Sequence, residues 1–152
     1  MKKMLSVIFK QFDPNLPKPE YKTSGAAALD LYARTQTTIP GNSVGYVPLN
    51  VAIQLPENHW ALLSARSSLH KRGLMLANGI GVGDYDYRGS NDEYLAALYN
   101  FTSKPVVVEK AERIVQLIVM HREPVQLTLV ADFDSTDPET KDRGGFGSTG
   151  RK

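Results

Sequence analysis

The chain of 152 residues contains no cysteine. Disulfide bonds, thiolate metal sites and cysteine nucleophiles are therefore excluded. Histidine is scarce: His59, His70 and His121 are the full set, and no two of them sit at metal-site spacing. A strong charge of one sign is also missing. With a formal net charge of +2, neither stable nucleic-acid binding nor attachment to an acidic membrane is expected. Long hydrophobic runs are absent too. The apolar stretch after Met1-Lys-Lys soon gives way to Lys10, Gln11 and Asp13-Pro14, so neither a signal peptide nor a membrane span is expected. The expected location is cytoplasmic.

What remains is an ordinary globular composition, in a length that suits one domain rather than two. No 3.6-residue periodicity is sustained. Short apolar or alternating segments recur instead, at 5–9, 29–33, 44–47, 51–55, 60–63, 95–101, 105–108, 114–120 and 125–129. Ile39-Pro-Gly-Asn42 and Pro56-Glu-Asn-His59 read as turns, and Ser67 to Arg72 as a single helical turn closed by Gly73. About ten short strands, with turn signals every ~8–12 residues, predict an all-β fold, a jelly roll or distorted β-barrel. That domain spans residues 1–131. From Asp132 the chain is polar and glycine-rich, and residues 132–152 are expected to form a mobile arm.

Residues 78–89, Asn-Gly-Ile-Gly-Val-Gly-Asp-Tyr-Asp-Tyr-Arg-Gly, concentrate glycine, two carboxylates and two tyrosines. In a regular strand Asp84 and Asp86 share one face, and Tyr85 and Tyr87 the other; a turn would break that rule. The glycines allow backbone to approach a flat ligand closely. Either Asp84 or Asp86 offers a carboxylate able to activate water.

Five segments in order resemble the all-β deoxyuridine triphosphatases (dUTPases). They are Gly25-Ala-Ala-Ala-Leu-Asp-Leu-Tyr-Ala33, Ala65-Arg-Ser-Ser-Leu69, Gly81-Val-Gly-Asp-Tyr-Asp-Tyr-Arg-Gly89, Glu112-Arg-Ile-Val-Gln-Leu-Ile118 and Arg143-Gly-Gly-Phe-Gly-Ser-Thr-Gly150. The resemblance implies a jelly-roll homotrimer that hydrolyses dUTP to dUMP and pyrophosphate with Mg²⁺, by water attack at the α-phosphate. That activity keeps uracil out of DNA and supplies dUMP for thymidylate synthesis. Three sites would lie between subunits, each closed by a neighbour's arm.

The same resemblance assigns roles. Asp84 is favoured over Asp86 as the base. Asn78 and hairpin backbone at Gly81 read the uracil edge, whose N3–H donor between two carbonyl acceptors distinguishes it from cytosine. Tyr87 packs on the sugar where a 2′-hydroxyl would stand. Arg66, Ser67, Ser68 and Gln116 serve the phosphates, with Arg113 in support. If the strand holding Arg113 and Gln116 is regular, the two point to opposite faces. Asp30 acts on Mg²⁺ through water, or holds the hairpin or Arg66. In the arm, Phe146 stacks on uracil, Gly147 and Ser148 wrap the phosphates, and either Lys141 or Arg143 grips the γ-phosphate.

Three features depart from the family pattern. Gly83 replaces a bulky apolar residue and is expected to loosen the hairpin. Ser90-Asn-Asp-Glu-Tyr94 is about three residues longer than the pattern, and Lys141 stands where the arm's arginine is usual. Two other functions compete. A dCTP deaminase would need a glutamate placed to activate water against the base, for which Glu93 is the nearby candidate. A non-catalytic binding protein would use the arm to contact a partner.

Overall fold

The computed structural model describes residues 4–140 together with Asp142 and Gly144. The expectations placed on Lys141, Arg143, Phe146, Gly147 and Ser148 fall outside the described residues. Eleven strands and two short 3₁₀ turns make up the described chain, which has no α-helix among the described residues. None of its helical segments is long and apolar enough to cross a membrane.

The central sheet has four strands: β2 (Leu29–Tyr32), β11 (Arg113–His121), β6 (His59–Ala65) and β8 (Gly81–Gly83), in the order β2-β11-β6-β8. A second sheet holds β4 (Ser43–Pro48), β9 (Leu95–Asn100) and β7 (Leu74–Leu76), in the order β4-β9-β7. Two antiparallel pairs complete the fold, β1 (Ile8–Gln11) with β5 (Val51–Gln54) and β10 (Val106–Val108) with β3 (Thr37–Ile39). Side chains that alternate across the pleat build the core between the sheets. In β9, Ala96, Leu98 and Asn100 point inward while Leu95 is exposed. Leu31, Ile39, Val47, Leu98, Ile114 and Leu117 meet in one continuous apolar cluster. Each large aliphatic side chain buried this way contributes about 1.5–3 kcal/mol.

The all-β expectation holds, with local corrections. Ile39 belongs to the end of β3 and is fully buried, and the turn begins after it, with Asn42 at φ 54°. Strands β3 and β7 have three residues each, too few to display a period. The helical turn is a 3₁₀ turn over Leu69–Arg72, and Gly73 closes it in the left-handed region at φ 76°, as expected. Residues 125–129 form no strand. Val125, Leu127 and Leu129 are 79%, 91% and 97% exposed, because the chain brings no sheet edge beside them.

One buried polar side chain ties the two smaller layers together. The Asn100 amide donates to the carbonyls of Ile39 (3.0 Å) and Lys104 (2.8 Å), and its oxygen accepts from the backbone N–H (2.9 Å) and hydroxyl (2.8 Å) of Thr102. Its hydrogen-bonding capacity is used in full. Asn100→Ala strands these partners, and the expected loss is about 1–3 kcal/mol, read as a lower urea midpoint with an unchanged m-value.

Candidate active site

Strand β6 has a different neighbour on each edge, and each neighbour carries one group of candidate residues. On one edge β8 pairs with β6 in the register Ala61↔Gly83, Leu62↔Val82, Leu63↔Gly81. A cavity of about 240 Å³ opens here, lined by Asn78, Gly81, Val82, Gly83, Tyr87 and Tyr94 among others. Asn78 sits in the turn between β7 and β8, where Gly79 takes φ 72° and the Ile80 N–H donates to the Asn78 carbonyl at 2.8 Å. Gly81 has no room for a side chain, since a Cβ would lie 2.9 Å from the Leu63 Cβ.

Beyond β8 the chain turns, with the Tyr87 N–H donating to the Asp84 carbonyl at 3.2 Å. That turn breaks the strand rule. Tyr85 lies beneath the Arg88 guanidinium, 4.4 Å from its ring centre, while Tyr87 turns to the cavity and packs 5.6 Å from the Tyr94 ring. The Tyr87 hydroxyl donates to the Glu93 carbonyl at 2.9 Å, which fixes the ring at the cavity wall. Burial, with the charges of Asp92 and Glu93, raises the Tyr87 phenol above its ordinary pKa. The Asp84 side chain is exposed and has no hydrogen-bond or ion-pair partner among the described residues.

Gly83 does not loosen the hairpin. A Cβ at Gly83 would lie 2.3 Å from the Tyr94 hydroxyl oxygen and 2.8 Å from the ring carbon that bears it, so the Tyr94 phenol occupies the space of the missing side chain. Tyr94 is 4% exposed, and burial pushes its phenol up to about 12, with Tyr87 and Asp84 adding to the shift.

The longer segment before β9 is tied down at several points. The Gly89 N–H donates to the Asp92 carboxylate (2.6 Å), and the Lys10 ammonium donates to the Ser90 carbonyl (2.8 Å). Glu93 accepts both Arg34 Nε (2.7 Å) and Arg34 Nη2 (2.9 Å), and also the Asn50 N–H (3.0 Å). A carboxylate engaged in this way is a structural anchor, which removes Glu93 as the deaminase acid.

On the other edge of β6 lies a cationic cleft of about 470 Å³, lined by Arg66, Ser68, Lys71, Arg72, Glu112 and Arg113 among others. Ser67 and Ser68 are exposed, and the Ser68 hydroxyl does not cap the 3₁₀ turn that follows it. Asp30, 7% exposed, holds two of the cations: Arg66 Nε at 3.2 Å from one oxygen and Arg113 Nη1 at 3.0 Å from the other. Arg66 also donates to the Arg113 carbonyl at 3.3 Å. Gln116 stands opposite Asp30 in the β11–β2 register, and its amide donates to the Ala65 carbonyl at 3.1 Å.

Arg113 and Gln116 are not on opposite faces. Arg113 faces Tyr32, but Val115 already faces Leu31, so Ile114 is an extra residue in the ladder. This bulge shifts the alternation by one, and Arg113 joins Gln116 on the face that carries Asp30. Sequence reading missed the bulge and missed Tyr94; the signal for Tyr94 was a bulky aromatic eleven residues beyond an unusual glycine.

Along β6 the hairpin group is spread out: Gly81 faces Leu63, about three residues (~10 Å) short of Arg66, whereas Asp84 lies at the opposite end. Asp84 follows Gly83, which faces Ala61, while Arg66 leaves β6 at its far end. The separation of Asp84 from Arg66 is roughly 20 Å, from about six residues at ~3.3 Å each. Among the described residues no group of three histidine, aspartate or glutamate side chains is placed to hold a metal ion. Both Asp30 oxygens face guanidinium groups, which suits a role in holding Arg66 and leaves contact with a metal only through water.

The family model for dUTPase matches residues 15–150. The deoxyuridine 5′-triphosphate nucleotidohydrolase of Dictyoglomus turgidum is 38% identical, covering 97% of this chain and 99% of its own. A crystal structure of the dUTPase from Streptococcus mutans is 30% identical, with a TM-score of 0.71, over 78% of this chain and 98% of that one. A variant of the dUTPase of Staphylococcus bacteriophage 80alpha, determined with dUpNHpp, shares the fold at 20% identity, with a TM-score of 0.81, over 96% and 99% of the two chains. The motifs, the all-β architecture and a match across nearly the whole length agree: this chain belongs to the dUTPase family.

Proposed function

We propose that the protein hydrolyses dUTP to dUMP and pyrophosphate, with Asp84 as the base and the hairpin cavity as the nucleoside site. The observation that carries this reading is a cavity walled by Asn78, by Gly81 and Gly83 and by Tyr87, with the exposed Asp84 next in sequence and its carboxylate without a hydrogen-bond or ion-pair partner among the described residues. Such a carboxylate is free to accept a proton from water. Water oxygen attacks the α-phosphorus, the bond from that phosphorus to the bridging oxygen breaks, and pyrophosphate leaves in line. The released proton passes to Asp84. As the edge strand of its sheet, β8 leaves outer backbone groups to read the uracil edge, and the Tyr87 ring, held by its hydroxyl, closes the space beside C2′ against a ribonucleotide.

Phosphate charge requires cations, which Arg66, Lys71 and Arg113 of the cleft supply, with donors from Ser68 in its lining and from Ser67 and Gln116 on the adjoining chain. Asp30 presents the two arginines rather than binding phosphate. Mg²⁺ carried on the triphosphate would add to the charge neutralisation, with Asp30 able to act on it only through water. This donor set fits a metal borne by phosphates, since no carboxylate cage surrounds the cleft among the described residues.

Asp84 and Arg66 stand roughly 20 Å apart along β6, which favours a working site that takes its hairpin from one subunit and its cleft from another. The homotrimer accommodates this by rotation, giving three equivalent sites. The exposed Val125, Leu127 and Leu129 support association, as no described part of their own chain covers them. The arm at 132–152 would close over the site, with Phe146 on the base, Gly147 and Ser148 at the phosphates and Lys141 or Arg143 on the γ-phosphate.

Pyrophosphate release is expected to be far faster from dUTP than from dTTP, dCTP or UTP. Asp84→Asn should leave dUTP affinity within about threefold and lower kcat at least a hundredfold; calorimetry and turnover together check this, and loss of binding with activity would refute the assignment. The shared site has its own test. Asp84→Asn and Arg66→Gln homotrimers are each expected to be nearly inactive. Co-refolded in equal amounts, they should recover about a quarter of wild-type sites, because each site then needs one intact hairpin and one intact cleft from different subunits. No recovery at any ratio, with mixed trimers seen by native mass spectrometry, would show that one subunit supplies both.

A further inference from the structure

The Tyr94 hydroxyl is the one buried side-chain polar atom without a hydrogen-bond partner among the described residues. Unpaired burial of a hydroxyl is costly, so its persistence points to a partner that arrives later. The neighbouring acceptors are already engaged. The Glu93 carbonyl takes the Tyr87 hydroxyl, the Asp92 carboxylate takes the Gly89 N–H, and the Glu93 carboxylate holds Arg34 and the Asn50 N–H. The Tyr94 oxygen rests where a Gly83 Cβ would be, and the next residue is Asp84. A buried donor without an acceptor therefore lies against the residue that precedes Asp84, near enough for the Asp84 charge to act on the phenol, while the exposed Asp84 carboxylate has no donor among the described residues.

We propose that Tyr94 is a positioning residue for the hydrolysis, its hydroxyl donating to one Asp84 carboxylate oxygen when nucleotide fills the cavity and leaving the other oxygen to the attacking water. This rests on the proposed role of Asp84. A phenol held up at about 12 keeps its proton at any neutral working pH, so it remains a donor. Glycine at 83 is what makes the arrangement possible, because any side chain there would displace the hydroxyl. Gly83 and Tyr94 thus act as a pair: the position lost in β8 is filled from the start of β9 by a ring that also brings a proton donor.

The test is Tyr94→Phe, which keeps the ring packing against Tyr87 and removes only the oxygen. The expected result is a fall in kcat of about tenfold, with KM for dUTP within about twofold and a thermal midpoint no lower than that of the parent. In the Asp84→Asn background the same substitution should cause no further loss, since the hydroxyl acts through that carboxylate. Three outcomes would overturn the inference: an unchanged kcat, an equal fall in both backgrounds, or a raised KM at constant kcat, which would place the hydroxyl on the sugar. Should Asp84→Asn itself keep full turnover, the base assignment fails and this inference with it. Sensitivity to Asp84→Asn combined with indifference to Tyr94→Phe sinks only the inference.

Discussion

Backbone pairing along both edges of β6 is the constraint on which the remaining geometry depends. Its seven residues engage β11 over Val115–His121 on one side and β8 over Gly81–Gly83 on the other. Ala61 and Leu63 are buried in the core, and a slip of one residue would turn them outward. The same slip would carry Asp84 out of line with Tyr94 and move the Ala65 carbonyl away from Gln116. The apolar core therefore sets the register, and the register sets the chemistry.

Two carboxylates, Asp30 buried and Glu93 half-buried, hold the halves rigid in different ways. Asp30 gathers Arg66 and Arg113, so the cationic cleft keeps its shape while part of its charge is balanced. Removing that carboxylate would leave two guanidinium groups repelling each other across a half-buried space. Glu93 does the corresponding work on the hairpin side. Its bidentate pair with Arg34 fixes the residue whose carbonyl receives the Tyr87 hydroxyl, and the strong partner raises the Arg34 pKa further. The longer segment at Ser90–Tyr94 thereby supports the wall of the hairpin cavity, to which it contributes Tyr94.

How much of this was legible in sequence follows from the range of each interaction. The turn over Leu69–Arg72 could be read from its closing Gly73, because a left-handed glycine is a local signal. The bulge at Ile114 could not. Ile114, Val115 and Leu117 look like an ordinary buried strand, and the extra residue is visible only against the partner Leu31–Tyr32. Tyr94 was hidden for a similar reason: its relation to Gly83 joins two elements, and each residue alone reads as a defect. Residues 125–129 show the opposite error. Their alternation is genuine, but alternation states only which side chains want cover, and a strand also needs a partner edge.

That missing edge bears on assembly. Tyr21, Phe9, Leu5 and Leu29 line an apolar groove of about 270 Å³ together with Val119, while Val125, Leu127 and Leu129 stand uncovered on the same chain. Burying three such side chains on a neighbour would contribute roughly 1.5–3 kcal/mol each, a substantial share of what association must offset in lost rigid-body freedom. The proposed trimer would thus draw stability from the segment that directly precedes the arm. A chain that leaves its own sheet at His121 and packs on a neighbour delivers its last residues to that neighbour's side of the assembly. The separation of Asp84 from Arg66 and the exposure of 125–129 would then be two consequences of the one proposed arrangement, in which a subunit would complete neither its fold nor its site alone.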